Sequence, residues 1–335
     1  MTISNFTHFL ATVVLVSQLS AQPKSLPPQP APPREAVVSA IPGVVAAGAQ
    51  WKAAWKGNET ADGITGSEDG GLLFAQAQTS RVYKLDKNDK ASVLLSNGHG
   101  VAAVAIDPQK RIIVAERPCA DLSQKPDQCT EPMGIAVLTP TRQILTNQFE
   151  GKPQSGLNDL VIDKKGGVYF TFTNEGAFYL DTKGKVSRIA SNLRTNGIVL
   201  SPDGKTLYIT NGLGIAAFDV QSDGSVRNQR DFGKLEGEGS ADGLAVDAVG
   251  RLYVCTRPGI QVLSPDGKHM GLIPTPRNAT SVAFGGPGKK MLYVSSPGAT
   301  GPDGMEIRTP EGVRNWATSV YKITMLAQGY KGRPK

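Results

Sequence analysis

The sequence predicts an all-β fold, a six-bladed β-propeller, on three observations. A strand-turn-strand unit recurs along the chain, its copies stand roughly 40 to 55 residues apart, and no helical period runs through them. The clearest copy is Asn196 to Thr210, N-G-I-V-L-S-P-D-G-K-T-L-Y-I-T, in which Ile198 to Leu200 and Thr206 to Thr210 read as strands. They flank Ser201-Pro202-Asp203-Gly204, where Pro presets one turn angle and Gly tolerates the left-handed one after it. The pattern returns at Asn158 (N-D-L-V-I-D-K-K-G-G-V-Y-F-T-F) and Asp242 (D-G-L-A-V-D-A-V-G-R-L-Y-V-C-T), and in degenerate form at Asp62, Ala102 and Thr280. Radial closure leaves few exposed sheet edges, which favours a propeller over a solenoid. With 38 Gly, 23 Pro and 39% hydrophobic residues, the composition suits a turn-dense β chain with a large core.

Taken in order, Met1 to about Ala21 holds an apolar run, Phe9 to Leu19, ending at Ser20-Ala21. The run is too short to span a bilayer and reads as a signal peptide, although no Lys or Arg precedes it. The protein is therefore expected to be exported, periplasmic or secreted, with no stable membrane insertion after processing. Residues 22–35 form a proline-rich spacer, and 36–335 the propeller. Ala36 to Ala47 is Val/Ala-rich and ambiguous. Gln50 to Lys56 is expected to close the propeller by pairing with Ser319 to Met325.

Blade one takes in Asp62 to Leu85, blade two Ala102 to Glu116, blade three Asn158 to Leu180, blade four Asn196 to Val220, blade five Asp242 to Leu263 and blade six Thr280 to Ser296. The insertion after blade two's second strand carries Cys119 and Cys129, either a small disulfide loop or two surface thiols. Cys255 reads as a small buried hydrophobe. Gly298 to Val313 is a long Gly/Pro-rich loop, a substrate wall or a plain excursion. The net charge of +7 comes from scattered Lys and Arg, with only Lys331 to Lys335 locally basic. Nucleic-acid binding is not expected; the expected partner is a small-molecule substrate, and a monomer is favoured.

If each unit's first residue opens a blade's innermost strand, then Asp62, Ala102, Asn158, Asn196, Asp242 and Thr280 ring one mouth of the central channel. Four of these six are a carboxylate or a carboxamide. At these segments, S-G-L-N-D-L-V-I-D, N-G-I-V-L-S-P-D-G-K-T-L-Y and D-G-L-A-V-D-A-V-G-R-L-Y-V, the chain resembles the senescence marker protein (regucalcin)/gluconolactonase family of six-bladed, calcium-dependent lactonases. V-L-S-P-D-G-K at Val262 and V-A-F-G-G-P at Val282 also match. The resemblance covers nearly the whole chain after the spacer. It implies a divalent metal at the mouth, held by Asn158, Asn196 and Asp242. The family's fourth ligand is Glu, and Asp62 stands there, one methylene shorter; Glu59 is a possible substitute.

Two carboxylates and two amide oxygens suit a hard cation such as Ca²⁺, with Mg²⁺ a further choice and Zn²⁺ disfavoured by the absence of N or S ligands. Such an ion polarises a carbonyl or phosphoryl oxygen. The resemblance implies hydrolysis of a sugar-derived or other small lactone, with Asp242 as general base or nucleophile beside Asn158. The alternatives are an organophosphate or ester hydrolase using the same metal, and a propeller that only binds. Asx-turns that brace the strand starts are the plain structural alternative for each ring residue. Glu116, Arg117, Glu175 and His99 are further candidates for substrate contact. The Arg that some relatives place two residues before Asn158 is replaced by Gly156, so the same sugar preference does not follow.

Overall fold

A computed structural model of the chain describes residues 33–57, 61–121, 129–149, 156–173, 175–296 and 318–332. The presumed signal peptide, most of the spacer, Glu59 and the loop Gly298 to Val313 lie outside these residues. The described strands form six antiparallel sheets of four. β1 (Lys52–Gly57) comes first, and blade one follows as β2 (Asp62–Gly66), β3 (Leu72–Gln76), β4 (Arg81–Leu85) and β5 (Ala91–Leu95). Blade two is β6 (Val101–Ile106), β7 (Ile112–Glu116), β8 (Gly134–Val137) and β9 (Gln143–Thr146). Blade three is β10 (Leu157–Ile162), β11 (Val168–Phe172), β12 (Gly176–Leu180) and β13 (Val186–Ala190). Blade four is β14 (Ile198–Leu200), β15 (Thr206–Asn211), β16 (Gly214–Val220) and β17 (Val226–Lys234). Blade five is β18 (Leu244–Val246), β19 (Leu252–Thr256), β20 (Gly259–Leu263) and β21 (His269–Pro274), and β22 (Ser281–Gly285), β23 (Met291–Ser296) and β24 (Thr318–Thr324) complete the chain.

Burial falls outward along each blade. β3 and β11 are buried at every position, whereas the outer β5 exposes Val93 and Leu94 and most of β17 faces solvent. Inner strands packed on both faces read as continuous apolar runs, which explains why their sequences lack a clean alternation. The turn between the first two strands repeats its chemistry as well as its shape. Gly204 has φ +80°, its N–H donates to the Ser201 carbonyl (2.9 Å), and the Ser201 hydroxyl accepts the Thr206 N–H (2.9 Å). In blades three and five an Asp replaces Ser. Asp163 Oδ1 accepts the Lys165 and Gly167 N–H groups, and Asp247 Oδ1 those of Val249 and Arg251. Asp247 Oδ2 also accepts the Tyr253 hydroxyl (3.1 Å), and burial, more than the Asp247 charge, pushes that phenol's pKa up.

The core consists of apolar clusters between neighbouring blades. Between blades two and three, Phe149 fills the gap against Phe170 and Phe172, with ring centroids 5.4 and 4.9 Å apart. The expected closure is present: β1 is the outermost strand of blade six, antiparallel to β24, with Lys52 opposite Lys322 and Trp55 opposite Val320. The first and last described strands thus complete one sheet, and the ring has no separate seam to expose.

The ambiguous stretch before β1 is a packed strap. Val38, Ile41, Val44 and Val45 are all buried in the cluster between blades five and six. Arg34 ties its start to the loops of blade five, donating to the carbonyls of Thr275 (2.7 Å) and Arg257 (2.6 Å), and Trp51 Nε1 donates to the Pro274 carbonyl (2.7 Å). If the strap is core, Ile41→Ala should cost about 2–5 kcal/mol, the usual range for truncating a buried Ile. Urea unfolding measures this, and a loss well under 1 kcal/mol would make the strap dispensable packing.

Candidate functional site

The inner strands converge on the channel axis, and their opening residues meet there. Asp62 and Asn158 lie within β2 and β10, while Asn196, Asp242 and Thr280 stand one or two residues before β14, β18 and β22. With Ala102 they line one common cavity of about 10 Å³, about the room that one water-sized sphere occupies. Residues up to 218 positions apart in sequence, Asp62 and Thr280, are thereby gathered at one point (280 − 62).

The second residue of each unit explains how they come so close. A Cβ on Gly63 would lie 2.2 Å from Ala103 Cα, one on Gly197 2.5 Å from the Asp242 carbonyl oxygen, and one on Gly243 2.9 Å from the Thr280 carbonyl oxygen. Each glycine therefore packs against the opening residues of the next blade, where no side chain fits. Gly63 also has φ +48°, a conformation that glycine adopts without penalty. Hydrogen bonds stitch the same seam. The Gly243 N–H donates to the Thr280 carbonyl (2.9 Å), the Ile64 N–H to Ser281 Oγ (3.2 Å), and Thr171 Oγ1 to the Asn196 carbonyl.

Blade three departs from the glycine pattern with Asp159, 7% exposed, which also lines the cavity. Its Oδ1 accepts the Leu160 N–H (2.8 Å) and its Oδ2 the Ile198 N–H (3.1 Å), tying blade three to blade four. The sequence reading passed over this residue. Its signal was the N-D-L of blade three where blades one, four and five carry D-G-I, N-G-I and D-G-L.

The side chains differ in how they are held. Asn158 Nδ2 donates to Thr173 Oγ1 (2.7 Å), which leaves the amide oxygen as its group for the ring. The Asn196 N–H donates to Thr210 Oγ1 (3.1 Å), while its side-chain Oδ1 is buried with no hydrogen-bond partner. Buried acceptors are normally satisfied; other buried side-chain atoms are left so as well, among them Ser296 Oγ and Tyr321 Oη, but those residues do not line this cavity. Asp62 Oδ1 accepts the Gly63 N–H (2.9 Å), an Asx contact. Thr280 Oγ1 lies 3.0 Å from Ser295 Oγ. Among the described residues no three of His, Cys, Asp and Glu gather closely enough to hold an ion. A cation in this cavity would depend on the amide oxygens of Asn158 and Asn196 beside the carboxylates. The oxygen-only donor set and the orphaned Asn196 Oδ1 fit a hard cation.

The other four candidates stand outside the cavity lining. Glu116 is 2% exposed and committed to structure: Arg142 grips both oxygens (3.1 and 2.7 Å), and the His99 N–H donates to Oε1 (2.9 Å). Arg117 is half-buried beside Gly100, whose carbonyl accepts its N–H (2.8 Å). The Glu175 carbonyl accepts from Arg188 (3.1 Å). His99 Nδ1 lies 2.5 Å from Glu131 Oε1, and both side chains are partly exposed. The open question about the cysteines closes with a disulfide, Cys119–Cys129, Cα atoms 5.5 Å apart, while Cys255 is free and buried. No helix among the described residues is long and apolar enough to cross a membrane.

With this geometry in hand, comparison with known proteins gives one consistent answer. Residues 60–298 match the family model described as the SMP-30/Gluconolactonase/LRE-like region. A gluconolactonase of Zymomonas mobilis is 31% identical over 169 residues, 42% of this chain and 48% of that protein. The pentonolactonase XacC of Haloferax volcanii is 29% identical over 185 residues, 51% and 63% of the two chains. Human regucalcin is 33% identical over 148 residues, 41% and 46%. The chain thus spans about half the length of the curated relatives it matches. A solved gluconolactonase from Xanthomonas campestris superposes with a TM-score of 0.68 at 21% identity, covering 90% of this chain and 97% of that one, and so shares the fold.

The orphaned oxygen makes a test independent of activity. In metal-free protein, Asn196→Ala removes a buried unsatisfied acceptor, a feature that costs about 1–3 kcal/mol, so the melting temperature should stay level or rise. A drop of several degrees would mean that Asn196 braces its own strand and is no ligand.

Proposed function

Because the chain belongs to the SMP-30/gluconolactonase/LRE-like family, we propose that it is a metal-dependent hydrolase that opens a small, sugar-derived lactone. The observation that carries this reading is the ring itself: the opening residues of four blades, two carboxylates and two carboxamides, around one small cavity that Asp159 also lines, with Asn196 Oδ1 buried and unsatisfied. The names of the relatives, a gluconolactonase and a pentonolactonase, supply the substrate class.

Oxygens of Asp62, Asn158, Asn196 and Asp242 would hold a divalent cation, Ca²⁺ before Mg²⁺ or Zn²⁺. Bound there, it would supply Lewis-acid stabilisation of the negative charge that develops on the lactone carbonyl oxygen. The chain's own residues do the rest. Asp242 accepts the proton of the attacking water, and its backbone is fixed for that task by the N–H bond to the Cys255 carbonyl (3.0 Å). Asn158, its amide nitrogen committed to Thr173, presents its carbonyl oxygen in one orientation. Gly197 and Gly243 keep the opening residues of blades four, five and six in contact, which sets the spacing between these groups. The cavity is small, so a lactone would sit above the ring with its reacting oxygen toward it. The Cys119–Cys129 disulfide supports an oxidising compartment, and with it export to the periplasm or beyond the cell.

Metal-stripped protein assayed on gluconolactone, other aldonolactones, a γ-lactone and an aryl phosphate ester should be inactive, and Ca²⁺ should restore lactone opening. Restoration on the phosphate ester alone would replace the lactonase reading, and no turnover with any divalent ion would remove it. In the restored enzyme, Asp242→Asn should lower kcat by about 10²–10⁴-fold, the range for losing a general base. Ca²⁺ should also raise the melting temperature of the wild type, as any ligand of the folded state does, and should do so less in Asp62→Ala.

A further inference from the structure

We propose that His99, oriented by Glu131, is the acid that protonates the departing ring oxygen from the side of the mouth opposite Asp242; this rests on the lactonase reading above. Opening a lactone needs two proton transfers at different places. The attacking water loses a proton, and the ring oxygen gains one, because an alkoxide leaves poorly without it. The ring residues supply a base, Asp242, on blade five. Blades two and five are three apart in a ring of six, hence face each other across the channel. At its own ring position blade two offers only the methyl of Ala102.

The first polar side chain upstream of Ala102 is His99, with only Gly100 and Val101 between. Three residues span at most about 10 Å, so His99 lies within that distance of Ala102 at the mouth. The backbone around His99 is fixed. Its N–H donates to Glu116 Oε1 (2.9 Å), the Gly100 N–H donates to Ser80 Oγ (2.7 Å), and a Cβ at Gly100 would sit 1.9 Å from the Arg117 carbonyl oxygen. The imidazole itself is 41% exposed, with Nδ1 held by Glu131 Oε1 at 2.5 Å. Glu131 follows Cys129 by two residues, so the disulfide anchors its loop, and Arg142 Nη2 bridges it to the buried Glu116 (3.4 and 2.7 Å). The charged groups around the imidazole are therefore Glu131 directly, with Arg142 and Glu116 behind it. With Nδ1 engaged by the carboxylate, Nε2 is the ring nitrogen left to meet a ligand.

In the step itself, the water oxygen bonds to the carbonyl carbon and its proton passes to Asp242. The bond between that carbon and the ring oxygen breaks, and the released electron pair takes the Nε2 proton. Asp242 returns its proton to solvent and His99 regains one, so the balance is lactone plus water to hydroxy acid.

The test compares His99→Ala, Glu131→Gln, Asp242→Asn and wild type on an aliphatic lactone and on an aryl acetate, whose phenolate leaves without protonation. His99→Ala should lose about 10²–10⁴-fold in kcat on the lactone and far less on the aryl acetate, and added imidazole should restore part of the lactone rate. Glu131→Gln should lower kcat on the lactone with KM kept, and it serves as the second variant if His99→Ala does not fold. Equal losses on both substrates, or lactone turnover at the wild-type level in His99→Ala while Asp242→Asn is dead, would overturn the assignment to His99 and leave the lactonase reading intact. A wild type that opens no lactone would overturn both.

Discussion

Six inner strands converge on one axis until, in three of them, the second residue of the unit packs against the backbone of the next blade, and the rest of the structure follows from that contact. At Gly63, Gly197 and Gly243 a Cβ would stand 2.2 to 2.9 Å from a neighbouring backbone atom. Overpacking of that severity forces strands apart, so the glycines set the channel's width. The residues just before them are thereby held around one small cavity, and their polar ends share it. The other three units carry Ala103, Asp159 and Ser281 in place of the glycine, and Asp159 is the instructive case. It keeps a side chain at the crowded position because that side chain accepts the Ile198 N–H of the next blade, replacing one inter-blade contact by another.

Packing close to the axis fixes position; what surrounds it fixes rigidity. Blade six is completed by β1, so the chain's start and end share one sheet, and the strap before β1 buries Val38, Ile41, Val44 and Val45 between blades five and six. Arg34 joins that strap to the mouth loops of blade five, the blade that carries Asp242. In blades two to five the far end is closed by a turn whose Ser or Asp caps backbone N–H groups. Many polar groups at the far ends and along the seams are thus paired, while among the residues lining the cavity Asn196 keeps a buried oxygen without a partner.

Much of this was legible in the sequence. Short apolar runs joined by Gly turns gave the six blades, because a turn and a strand are set by neighbours only a few residues away. Repetition also made the ring legible, since equal positions in equal blades must face the same axis, and Asp62, Asn158, Asn196 and Asp242 do line one cavity. The strap was not legible. Its Val/Ala composition fits a strand, a strap or a linker, and only blades five and six, more than 200 residues away, provide the groove that buries it (245 − 38 = 207 for Ala245 and Val38). Glu116 was equally opaque, for its partner Arg142 lies beyond the cysteine insertion, and a charge at a strand end reads the same whether paired or solvated.

The sequence by itself determined the blade count, the order of strands and the residue that opens each blade, because each rests on a local pattern repeated. Only the tertiary structure decided how those residues are used. It joined Cys119 to Cys129, set Glu131 against His99, buried Glu116 under Arg142, and left Asn196 Oδ1 without a partner. Each of these depends on the distance between groups far apart in the chain, and that distance exists only once the ring has closed.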